Sequence, residues 1–318
     1  MQRIRHAELD RPGHDFRRRP HASAIASLSV CAVLLATPPA HAGHDVFHIF
    51  TPVVEAGHFG AEALSTFNAG MPQHDEHEEH GHGAPRAAHE LAFHGGITDF
   101  WMAKLALGLS REDGEAYAAT SLALENVLRL TPPSAGAFDF AWFTSVSAGL
   151  DSGASNFVEF GPILSLDAGR WSMVLNPFLE KSFGENREDG VAFAYAFRAS
   201  YEIAEKLSVG IEGYGEVENI ADAPPASEQT HRIGPVIYLG HMHGARRHRH
   251  SVAAAHGPHD EAHHGHGDHA GHAHAAAHGG PAPGAAHAGD WHAEIGVLFG
   301  LTEATPDAAL KFNVGTDF

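Results

Sequence analysis

The chain has 318 residues, with 20 Lys and Arg against 39 Asp and Glu, a formal charge of −19, and 29 histidines. That balance repels nucleic acid at neutral pH and attracts cations. The sole cysteine, Cys31, lies near the N-terminus, so the rest of the chain has no disulfide, cysteine nucleophile or Cys-based metal site.

The first recognisable element is a leader. Arg17, Arg18 and Arg19 precede an apolar run from Ala22 to Ala36, and Ala40-His41-Ala42 forms an Ala-x-Ala site. A basic region, a short apolar core and a small-residue site read as a secretory signal peptide over residues 1–42. The run is too short for a membrane span, and Val30 before Cys31 argues against a lipid anchor. Cleavage removes six Arg and three acids, leaving 14 basic and 36 acidic residues, a charge of −22.

Residues 43–58 follow. Val46 to Val54 is extended but interrupted by Pro52, and is expected to be an N-terminal periplasmic segment or an extra strand. From Phe59 onwards the chain alternates in short segments: 59–67, 90–96, 101–110, 116–130, 138–150, 156–167, 171–183, 191–202, 207–219, 230–241, 291–301 and the last stretch to Phe318. No run here reaches the roughly 18 apolar residues of a membrane helix, and 35 Gly and 19 Phe fit β-structure. In the last stretch Ala308, Leu310, Phe312, Val314, Thr316 and Phe318 fall on one face; Ala309, Lys311, Asn313, Gly315 and Asp317 fall on the other.

Many of these segments exceed the usual soluble strand of about 5–6 residues. One face is large and apolar, and the other is small or charged. Trp101, Trp142, Trp171 and Trp291 recur near segment ends, where membrane girdles place aromatics. The expected fold class is all-β: a transmembrane antiparallel β-barrel over residues 59–318, of twelve strands, or fourteen if 46–54 joins. The competing expectation is a soluble secreted β-protein.

Short connections alternate with longer ones, which orients the barrel with both ends periplasmic. The polar face is then the lumen lining. Its expected members are Glu125, Arg129, Glu159 and Glu180, then Arg198, Glu202, Glu212 and Glu216, and finally Arg232, Glu294 and Lys311. They read as an ion network filling the lumen or as a pore lining with a cation bias.

Two His-rich inserts, 69–89 and 242–289, interrupt the spacing and are too poor in apolar residues to build a core, so they are expected to be disordered. The first offers His74, His77, His80 and His82 among acids. The second offers His256, His259, His263, His264, His266, His269, His272 and His274 in a matrix of Ala, Gly and Pro. Imidazole with carboxylate suits Zn, Ni, Co or Cu. No cofactor is required, and no Gly-x-Ser-x-Gly, HExxH, CxxC or phosphate-binding glycine loop points to an enzyme.

Phe50-Thr-Pro-Val-Val-Glu-Ala-Gly57, Gly96-Ile-Thr-Asp-Phe100, Ile233-Gly-Pro-Val236 and Phe299-Gly-Leu-Thr-Glu-Ala-Thr-Pro-Asp307 resemble turn and strand signatures of a family of uncharacterised proteobacterial outer-membrane barrels. That family is described as transporters and is similar in style to channels linked to aromatic-compound degradation. The resemblance covers most of residues 48–241 and 290–318. It implies an outer-membrane location, surrounding outer-membrane lipid, and a terminal Phe318 read by the barrel-assembly machinery. The insert at 242–289 departs from the family's short turn. The resulting expectation is an outer-membrane channel or transporter with metal-binding loops for divalent transition metals. The alternatives are a non-transporting barrel that displays metal-buffering loops and the soluble metal-binding protein.

Overall fold

The structure, a computed structural model, describes residues 46–71, 84–112, 114–132, 136–151, 154–240 and 291–318. Twelve strands follow in chain order: β1 (Phe59–Ala69), β2 (Ala87–Thr98), β3 (Trp101–Arg111), β4 (Ala118–Arg129), β5 (Phe138–Gly149) and β6 (Asn156–Ala168). Then come β7 (Trp171–Phe183), β8 (Ala192–Ala204), β9 (Leu207–Val217), β10 (Thr230–Gly240), β11 (Trp291–Gly300) and β12 (Ala308–Asp317). Each pairs antiparallel with its sequence neighbours, and β12 pairs with β1 from Gly60↔Asp317 to Ala69↔Ala308, so the sheet is a closed barrel.

The alternation explains the closure. On β12, Leu310 is 46% and Phe312 40% exposed, while Lys311 is 0% and Asn313 6% exposed. The same inversion runs round the wall: Leu105, Leu124, Val146, Met173, Ile211, Ile237 and Ile295 point outward and are exposed. In water such a wall would aggregate. In lipid it is the solvated face, and closure leaves no backbone group unpaired at a sheet edge. The chain is a closed antiparallel barrel with the outer wall of a transmembrane β-barrel.

Phe59 and Phe318 meet at one rim, where the Phe318 N–H donates to the Phe59 carbonyl at 2.8 Å. Trp101, Trp171 and Trp291 open β3, β7 and β11 at this terminal rim and are exposed. The opposite rim, the loop rim, carries aromatic groups with polar handles. His89 bonds Ser65 Oγ at 2.9 Å and Tyr117 OH at 3.1 Å; the Tyr195 OH lies 3.1 Å from His231 Nδ1. Such pairs sit where one end is apolar and the other wet.

The expected count of twelve holds and the fourteen-strand alternative falls away: residues 46–54 form no ladder, because Pro52 lacks an N–H and the backbone of Phe50 bonds to a side chain instead. The connection between β1 and β2 is shorter than the expected insert 69–89. Ala87 and Ala88 pair with Arg111 and Ser110, which puts His89 on β2, facing outward. The leader, residues 72–83 of the first insert and the whole of the second insert lie outside the described residues.

Candidate functional site: an occupied lumen

The lumen is where the inner faces of all twelve strands converge, and the chain's own N-terminal segment occupies it. Val46 packs on Leu64 and Ala88 towards the loop rim. Phe47, Ile49, Phe50 and Val54 share one buried cluster with wall residues that include Val127, Phe143, Ile163, Val174 and Phe178. At the terminal rim the Gly57 N–H donates to the Gly96 carbonyl at 2.8 Å, and the chain enters β1. The segment therefore runs along the lumen to that rim.

Phe50 is the anchor. Its ring centroid lies 4.2 Å from that of Phe143 and 6.0 Å from that of Phe178, and the Lys104 ammonium sits 5.2 Å from its centroid. Its N–H donates to Asn176 Oδ1 at 2.8 Å, and Asn176 Nδ2 donates to its carbonyl at 3.0 Å. Asn313 Nδ2 donates to the Phe47 carbonyl at 3.2 Å. The Phe47 ring lies 4.9 Å from Tyr214, with the Arg232 guanidinium 4.6 Å from its centroid. Gly96 makes the exit possible: a Cβ there would stand 1.9 Å from the Glu55 carbonyl oxygen.

The charges fall into two networks. Lys311 Nζ bonds Glu212 at 2.6 Å and Glu294 at 2.8 Å. Glu212 also accepts from Tyr214 OH at 2.6 Å and Tyr238 OH at 2.9 Å. Arg198 approaches Glu294 at 4.0 Å. The other network centres on Lys104, with Glu90 at 2.8 Å, Glu125 at 3.2 Å, Glu62 at 4.0 Å and His48 Nδ1 at 3.2 Å.

Of the expected lining residues, the structure unites Arg198, Glu212, Glu294 and Lys311. Glu125 joins Lys104. Glu159 and Glu180 face each other across β6 and β7 and share a cavity of about 50 Å³ with Glu125. Arg129 pairs with Asp139 at the terminal rim, where Glu202 also lies, near the end of β8. Arg232 donates to Asn68 at 3.1 Å, and Glu216 lies opposite Thr230 near the loop rim.

The expected lining set left out Asn176, Asn313 and the imidazoles of His48, His94 and His292. The last three line a cavity of about 120 Å³ near the terminal rim with Glu62 and Asp317. Glu62 lies 3.8 Å from His94 and 3.9 Å from His292, and Asp317 lies 3.4 Å from His94. The available signal was that His94, His292 and Asp317 fall on the polar face of their strands. Among the described residues, no three His, Asp or Glu side chains are placed to share a metal ion. The expected ligands His74, His77, His80, His82, His256, His259, His263, His264, His266, His269, His272 and His274 lie outside the described residues.

No family profile matches the sequence, and no curated protein sequence matches it. Solved structures are similar to this chain over most of its length. An outer-membrane channel from Pseudomonas putida F1 is 10% identical with a TM-score of 0.47, covering 85% of this chain and 96% of that one. The NanC porin is 8% identical with a TM-score of 0.43, covering 81% and 98%. The translocator domain of the autotransporter NalP from Neisseria meningitidis is 10% identical with a TM-score of 0.41, covering 83% and 89%. At such identities and TM-scores, the barrel's own geometry is the guide to what it does.

Proposed function

We propose that the protein is an outer-membrane channel for small cationic solutes, closed by its own N-terminal segment and flanked by tracts that gather divalent transition metals. The observation that carries this reading is that the segment fills the lumen without joining the sheet. The backbone of Phe50 and Phe47 is held by the side-chain amides of Asn176 and Asn313, not by a ladder.

A guest held this way can leave without opening the barrel. Burying Phe47, Ile49, Phe50 and Val54 contributes about 6–12 kcal/mol, and three hydrogen bonds add about 3 kcal/mol. Ordering residues 46–54 costs about 9–18 kcal/mol. The opposing terms are of one size, so modest perturbations shift the segment between docked and released states.

The lining supports cations as cargo. Glu62, Glu90, Glu125, Glu159, Glu180, Glu212 and Glu294 outnumber Lys104, Arg198, Arg232 and Lys311 on the inner wall. The reading also places residues 1–42 as a cleaved signal peptide and the terminal rim in the periplasm. One His-rich tract, bearing His74 to His82, then lies at the outer mouth. The other, bearing His256 to His274, lies at the inner one. Zn, Ni, Co or Cu would be held there transiently before entering the acidic lumen. Passage is passive and uses no covalent chemistry.

The docked segment also favours a second reading, a sealed barrel that only displays metal-binding tracts. Planar-bilayer conductance separates the two. The chain from Gly43 should show rare small steps, and a chain lacking 43–54 should show long-lived, cation-selective steps. If the shortened chain folds, judged by heat-modifiable migration, and stays silent, the channel reading fails.

A further inference from the structure

On the outer wall, cross-strand partners form one row near the loop rim: Val297↔Leu310, Leu310↔Phe67, Phe67↔Ala87 and Ala87↔Arg111. The next step towards the rim is built from small residues, since Ala69 pairs with Ala308. With alanine at Ala69 and Ala308 between Phe67 and Phe299, the outer wall has a depression here. It is an open groove of about 410 Å³, lined by Phe67, Ala69, Val297 and Leu310, with Arg86 and Arg111 also on its lining. Phe67, Val297 and Leu310 are each about two-fifths exposed, on the face that meets lipid.

The arginines are out of keeping with the rest of the chain. Inside the barrel, Lys104 and Lys311 are enclosed by carboxylates. Among the described residues, neither Arg86 nor Arg111 is ion-paired with a carboxylate, and the Arg111 guanidinium lies over the Tyr117 ring at 5.0 Å. Tyr117 bonds His89 in the girdle that marks the membrane boundary. Both guanidiniums therefore belong to strand ends at the depth where lipid head groups begin, beside a groove open to acyl chains. A guanidinium matches phosphate in a bidentate fork, and partial desolvation strengthens that bond.

We propose that this groove binds the phosphorylated, multiply acylated glycolipid of the outer leaflet, lipid A, with an acyl chain along Phe67, Ala69, Ala308 and Leu310 and a phosphate on Arg86 and Arg111. The proposal rests on the loop rim facing the cell exterior and is independent of whether the lumen conducts.

The test uses the whole barrel in phosphatidylcholine nanodiscs carrying bisphosphorylated lipid A, dephosphorylated lipid A or cardiolipin. Co-purifying lipid is read by native mass spectrometry. Heat-modifiable migration checks folding in every case. The unaltered protein should retain lipid A in preference to the other two lipids. Losing a charge-assisted contact of about 1.5–3 kcal/mol predicts roughly a ten- to hundredfold loss of retention in Arg86→Gln/Arg111→Gln. Ala308→Phe, which fills the groove and keeps both charges, should also lower retention. Arg187→Gln, in the connection between β7 and β8, should not. Unchanged retention in both the double variant and Ala308→Phe overturns the site. Equal retention of cardiolipin shows a general anionic surface and overturns the assignment to lipid A. Free inorganic phosphate should not compete; if it does so at millimolar level, the groove plays no part and the proposal fails.

Discussion

Asn176 treats Phe50 as a neighbouring strand would. Its amide accepts from the Phe50 N–H at 2.8 Å and donates to the Phe50 carbonyl at 3.0 Å, and the side chain is 0% exposed. One side chain thus replaces a rung of ladder and satisfies backbone groups that would otherwise be buried unpaired. Asn176→Ala removes both bonds and leaves the barrel's own ladder intact. About 2–4 kcal/mol of docking energy should go, raising the open probability in single-channel records more than tenfold. An unchanged dwell in the closed state would show that this pair does not hold the segment.

Gly96 tests the same segment at its exit. Because a Cβ would stand 1.9 Å from the Glu55 carbonyl oxygen, Gly96→Ala should push residues 54–57 off the wall. The sole cysteine, Cys31, lies in the proposed leader, so Phe50→Cys gives the processed chain a single thiol. Labelling of that thiol by a water-soluble maleimide should be slow alone and at least several-fold faster when combined with Gly96→Ala. Equal rates would mean that the segment is not pinned at Gly96.

Much of the barrel was legible because side-chain period and burial coincide. Lys311 and Asn313, alternating with Leu310, Phe312 and Val314, leave only one face that can meet lipid, and each such strand sets its neighbour's register. The lumen's occupant was not legible. Val46 to Val54 is apolar and extended, which fits a strand and a buried segment equally. Nothing local to Asn176 announces that it will meet Phe50, 126 positions away. His89 was grouped with a His-rich insert by composition, although the pairing of Ala87 with Arg111 places it on β2. Composition blurs an element's edge wherever a loop and a strand end share residue types.

Lys311 holds Glu212 and Glu294 together in the wall. Lys311→Met leaves two buried carboxylates without that cation, a change that costs about 3–5 kcal/mol. The temperature at which heat-modifiable migration is lost should fall clearly. Adding Glu212→Gln should restore part of the loss, because one unpaired charge then disappears. A double variant no more stable than Lys311→Met would show that the network's charge balance is not what matters.

The proposed metal tracts should bind in proportion to their histidines. Deleting 242–289 should remove most of the zinc or nickel taken up at pH 7.5, measured by equilibrium dialysis. Uptake by the full chain should fall as pH drops through about 6.5 and be largely lost near pH 5, since protonated imidazole cannot ligate. The sign is fixed: acid releases metal. Unchanged stoichiometry after the deletion would place the ligands elsewhere.

Selectivity is the last consequence of the lining. Glu159 and Glu180 are direct cross-strand partners, and like charges in that position cost stability. Both also line the cavity that holds Glu125 and Val46. In the proposed channel, release of the segment would expose this carboxylate row to the passage, where it would raise the local cation concentration. In the chain lacking 43–54, Glu159→Gln/Glu180→Gln should keep the step size within about twofold and move the reversal potential in a KCl gradient towards zero, because gating and lining are then separate. High salt should shrink the difference between the two chains, as screening replaces the fixed charges. A reversal potential that does not move would place the selectivity at another level of the lumen, with Glu212 and Glu294 around Lys311 the next pair to neutralise.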